Sequence, residues 1–185
     1  MIRRCSITTL VMLAIVFIGC HRTPPSSLQG LEHFDGAVDL SDTTDNSAKS
    51  ALYIRAMKHL EDEELESAKS LYRRAIKMYP DDPEGYASLA SCFCFDNEYA
   101  EAKRQYQRAL DVDSDCVNAH YGLGCVAYEK REHTAAEQHL QRAIAIDARR
   151  GDSHRVLSMV YEQLGELGKA RYHSEQASKL NATDR

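Results

Sequence analysis

Small residues recur along this 185-residue chain at a fixed step of 34. Ala68, Ala102, Ala136 and Ala170 form one series, and Ala75, Ala109, Ala143 and Ala177 a second. A third runs through Ala56, Ala90, Gly124 and Ser158, with Leu89, Leu123 and Leu157 just ahead of its last three members. A period in this range means one supersecondary unit stacked on copies of itself, because a single unit cannot bury its own apolar face. Small side chains are required where packed helix axes come nearest, since a larger group there would hold the elements apart. Met78, Val112, Ile146 and Leu180 keep the same step and are expected as one apolar plug per unit.

The stretch Asp82 to Asp115 carries one full unit, and its spacing of small, large and small residues resembles the tetratricopeptide repeat. The resemblance implies two antiparallel helices per unit and an all-α, right-handed α-solenoid of four helix-turn-helix repeats. These fall at about 49–82, 83–116, 117–150 and 151–184, within a domain 49–185. Two family positions differ. The usual Trp reads Leu52, Tyr86, His120 and His154, and the terminal Pro survives as Pro80, becoming Ser114, Ala148 and Ala182. Asp45, Asn46 and Ser47 suit the N-cap of the first helix. Ser174 stands where Tyr72, Tyr106 and Leu140 supply bulk to a following repeat, so repeat four reads as a cap. Val156, Val160, Leu167 and Leu180 are expected to leave an apolar C-terminal end suited to a homodimer.

Residues 1–19 read as a signal peptide. Arg3 and Arg4 precede an uncharged apolar run, Leu10 to Ile18, which is far shorter than the ~20 residues that span a bilayer. Phe17-Ile18-Gly19-Cys20 resembles the lipobox of bacterial lipoproteins, which implies cleavage before Cys20 and lipidation of its sulfur. Residues 20–48 would then form a flexible acidic tether, with Glu32, Asp35, Asp39, Asp42 and Asp45 against Arg22 alone. The alternative is that Leu28, Leu31, Phe34 and Val38 dock back on the repeats. The net charge of −5 becomes −7 once Arg3 and Arg4 are lost, which argues against nucleic acid as a partner. With no basic run, acyl chains would have to supply the membrane attachment.

No catalytic constellation is visible, and the chain is expected to be neither an enzyme nor a cofactor or metal protein. Cys92 and Cys94 form C-x-C on a helix, which turns the two sulfurs about 200° apart and away from one metal. With Cys116 and Cys125 they read as free, mostly buried thiols, a Cys94–Cys125 disulfide being the alternative. His120 with His154, and His139 with His173, are each 34 apart, a product of repetition and a weak metal signal without a carboxylate. Glu61-Asp62-Glu63-Glu64 reads as a solvated turn.

The inner, concave face is the usual ligand surface of the family. By register its groove should be lined by Tyr53, Met57, Ser91, Cys94, Tyr121, Cys125, Tyr128, Arg155, Met159 and Glu162. Members that clamp a C-terminal carboxylate use Lys at position five and Asn at position nine of the first helix. Here those positions read Tyr53, Ala87, Tyr121, Arg155 and Met57, Ser91, Cys125, Met159, so the clamp is absent. The expected function is a protein- or peptide-binding scaffold, lipid-anchored on the periplasmic side of a bacterial envelope, with the outer membrane favoured. Its architecture resembles the small repeat lipoproteins that assist pilus or secretin assembly. An adaptor or regulator of cell-wall hydrolases is the alternative, and a redox or metal-binding protein the third reading.

Overall fold

The computed structural model describes residues 45–183. The leader 1–19, Cys20 and most of the 20–48 segment lie outside them. Among the described residues the secondary structure is helical throughout: α1 (Asp45–Glu61), α2 (Leu65–Met78), α3 (Pro83–Phe95), α4 (Tyr99–Val112), α5 (Val117–Glu129), α6 (His133–Ile146), α7 (Gly151–Gln163) and α8 (Leu167–Thr183). By compactness the chain divides into Met1–Ala51 and Leu52–Arg185. The second unit holds the rest of α1 and all of α2 to α8. Asp45, Asn46 and Ser47, expected ahead of the first helix, already belong to α1.

Each repeat turns between its two helices in the same way. Glu63, Asn97, Arg131 and Gly165, spaced 34 apart, all have a positive φ of 60° to 74°. The next residue, always Glu, closes the turn by donating its N–H across five residues: Glu64 to the His59 carbonyl, Glu98 to Phe93, Glu132 to Ala127 and Glu166 to Tyr161, at 2.7 to 2.9 Å. This Schellman closure satisfies carbonyls that the helix end leaves orphaned. Between repeats, Asp82 caps α3 by accepting from the Glu84 N–H, and Pro83 takes the first helical position, where its missing N–H costs nothing.

The Ala series are the packing points: Ala68, Ala102, Ala136, Ala75, Ala109 and Ala143 are fully or almost fully buried. Their logic is clearest around Tyr106 on α4. Its ring fills the space over Gly122, where a Cβ would lie 2.5 Å from the phenol oxygen and closer still to ring carbons. Gly124 plays the same part for Leu140, with a would-be Cβ 2.6 Å from Cγ. Tyr106 is thereby seated in the next repeat, and its hydroxyl is held 3.0 Å from Ser91 Oγ.

Lys69 ties repeat one to repeat two. It is only 2% exposed, lies 4.9 Å over the Phe93 ring, and reaches Asp96, Glu66 (2.9 Å) and Glu98 (3.4 Å). Burial works against its charge, but the hydrogen bonds to Asp96 and Glu66 prevail and raise its pKa.

The expected plugs are corrected. Met78 and Val112 are exposed at 41% and 40%, and Ile146 and Leu180 are half-buried, so none of the four is a buried plug. The C-terminal end also differs. Val156 and Val160 are buried within α7 packing, while Leu167 is 70% exposed beside exposed Leu164 and Tyr172.

Candidate functional site

Consecutive first helices α3, α5 and α7 touch side by side, whereas the second helices contact mainly their own and the following first helix. The first helices therefore line the inner side. Tyr53, Met57, Ser91, Cys94, Tyr128, Arg155 and Met159 are half-buried on them, and Glu162 is exposed. Tyr121 and Cys125 are corrected: both are buried, at 2% and 3% exposure, and form the floor rather than the lining.

Arg150 is what covers Tyr121. From the loop before α7 its guanidinium lies 4.5 Å over the Tyr121 ring, a cation–π contact, and donates to Asn118 Oδ1 at 2.6 Å. Asn118 in turn donates to Glu84 Oε2 at 2.6 Å. Glu84, Asn118 and Arg150 thus form a polar ladder along the starts of three successive first helices, α3, α5 and α7. The step of 34 from Glu84 to Asn118 was the available sequence signal for this ladder. Burial, with Cys125 and Asp152 nearby, pushes the Tyr121 hydroxyl pKa up, so it stays neutral.

At the other end of α5, Tyr128 borders a shallow pocket with Glu129, Arg131, His133 and Gln163. Burial, then Glu129 and Glu162, raise its pKa, with Arg131 opposing them.

Cys92, Cys94, Cys116 and Cys125 are all free. Three of these thiols are buried and Cys94 is half-buried. Burial pushes Cys92, Cys94 and Cys125 up to about 12 and Cys116 to about 11. The thiolate is the nucleophilic form, and at neutral pH these thiols stay protonated. Cys94 Sγ instead sits 4.0 Å from the Tyr106 hydroxyl, and Ser91 Oγ donates to the Ala87 carbonyl at 3.1 Å.

The histidines pair differently from their spacing. His120 meets His139, and His154 meets His173, within a repeat and 19 residues apart, rather than across repeats at 34.

Two tetratricopeptide repeat family profiles match, over residues 59–124 and 96–153, together more than half of the chain. The chain belongs to the tetratricopeptide repeat family. Solved structures agree with this tetratricopeptide repeat fold. A crystal structure of MamA aligns at a TM-score of 0.62 and 19% identity, covering 76% of this chain and 82% of that one. A second MamA crystal structure aligns at 0.59 and 23% identity, over 74% and 75% of the two chains. PilF of Pseudomonas aeruginosa aligns at 0.68 and 25% identity, over 74% of this chain and 63% of its own, so this chain spans less than two thirds of that protein. No curated protein matches by sequence. As a tetratricopeptide repeat chain, the protein is a protein-interaction scaffold.

Proposed function

We propose that this scaffold is non-enzymatic, binds an amphipathic helix or extended apolar segment on the inner face, and is lipid-anchored through Cys20 on the periplasmic side of a bacterial envelope, where it assists pilus or secretin assembly. The observation that carries the binding reading is the row of half-buried Tyr53, Met57, Tyr128 and Met159 on the first helices. Aromatic rings supply rigid contact area and thioethers adjust to the shape presented. Half-buried Arg155 and exposed Glu162 orient the segment. The likeness to PilF at 25% identity supports the assembly reading. The lipobox-like Phe17-Ile18-Gly19-Cys20 supports the anchor.

Two experiments test this. Replacing Tyr128 and Met159 together by Ala should weaken the partner by at least ~2 kcal/mol while helical circular dichroism is kept. Unchanged binding would move the working surface elsewhere. Labelled palmitate should enter the wild type, and Cys20→Ala should leave the protein soluble or as uncleaved precursor. A wild type that is unlabelled and soluble removes the anchor.

A further inference from the structure

The histidine pairs are not used by the inner face, and their geometry is specific. His154 Nδ1 and His173 Nδ1 face each other at 2.9 Å, and His120 Nδ1 and His139 Nδ1 at 3.3 Å. Two nitrogens bound to one metal at ~2.0–2.1 Å, and ~90–109° apart, lie about 2.9–3.4 Å from each other. Both pairs fall in that interval. We propose that His154 with His173, and His120 with His139, each form a two-imidazole site for a divalent transition metal of the Ni2+, Cu2+ or Zn2+ type, completed by water.

The tautomer supports it. His120 Nε2 lies 3.1 Å from the Ser114 carbonyl, which can only accept, so Nε2 carries the proton and the Nδ1 lone pair is available. A metal-binding His is commonly oriented by such a bond from its other ring nitrogen. Without metal, the facing Nδ1 atoms share one N–H···N proton. The metal takes the place of that proton once each ring tilts so that the lone pairs meet beside the N···N line. His139 then carries its proton on Nε2, so no net proton is released. Tyr161 stacks on His173 with centroids 5.5 Å apart, and Tyr172 meets it edge-on at 5.1 Å, limiting the ring's freedom.

Among the described residues no group of three or more His, Cys, Asp or Glu suits a metal, so each site has two protein ligands and an imidazole-preferring, exchangeable ion.

Calorimetric titration of the untagged full chain with Ni2+ tests this. His139 and His173 are half-buried and are the residues to replace. Wild type should take up two more equivalents than the doubly substituted His139→Gln, His173→Gln protein. His173→Gln alone and His139→Gln alone should each lose one of these two equivalents, with helicity unchanged. Equal uptake by wild type and the double variant overturns the proposal. A second measurement needs no variant: Ni2+ should broaden the proton resonances of the four paired rings before those of His59. Broadening of His59 first overturns it as well.

Discussion

Gly122→Ala should destabilise the repeat domain by about 3 kcal/mol, the upper part of the range for overpacking. Alanine ordinarily improves a helix by up to ~1 kcal/mol over glycine, so the expected sign is opposite to that of propensity. The reason is Tyr106. A Cβ at position 122 would overlap its ring, 2.5 Å from the hydroxyl oxygen and closer to Cζ and Cε1. The ring has nowhere to retreat, since it is 1% exposed and its hydroxyl is held by Ser91. The urea midpoint should fall with little change in slope. Adding Tyr106→Leu should recover part of the loss, so that the pair costs at least ~1 kcal/mol less than the two single changes summed. Simple additivity would mean that α4 does not seat in α5 at this point.

Tyr121→Ala should cost about 3–5 kcal/mol, as deletion of a buried aromatic ring does. Were Tyr121 a groove residue, the loss would be small and confined to binding. In the fold it is floor, 2% exposed, and it supports the Arg150 guanidinium 4.5 Å above it. Removing the ring opens a cavity and takes the cation–π partner from an arginine that is itself 8% exposed. Tyr128→Ala, on the same helix but half-buried, should cost roughly 1 kcal/mol by comparison. Equal losses at the two positions would contradict the assignment of floor and lining.

The architecture was legible because a small residue at a helix crossing is a geometric demand, and a demand repeated every 34 residues leaves a periodic trace. Ala102 and Ala109 could be read as packing points for that reason, and both are fully buried. The site was legible only in part. Position five of the first helix holds Tyr121 in one repeat and Arg155 in the next, and register treats them alike. What separates them is Arg150, reaching back 29 residues to cover the ring, a contact with no periodic signature. Met78 and Val112 failed for a related reason. Their spacing marks them as equivalent to one another, but equivalence says nothing about whether a neighbouring repeat extends far enough to cover them. The histidines carried a misleading trace: repetition linked His120 to His154, while antiparallel packing inside each repeat joins His120 to His139 and His154 to His173.

The claim that function resides on the inner face of the first helices is tested most directly by site-specific photocrosslinking in cells. A photoreactive residue placed at Tyr128, and separately at Met159, should capture the same protein. The same residue placed at Arg104, exposed on second helix α4, should capture none of it. Capture of that protein from Leu167 or Tyr172, with nothing from Tyr128 and Met159, would contradict the account and make the exposed apolar C-terminal end the working surface.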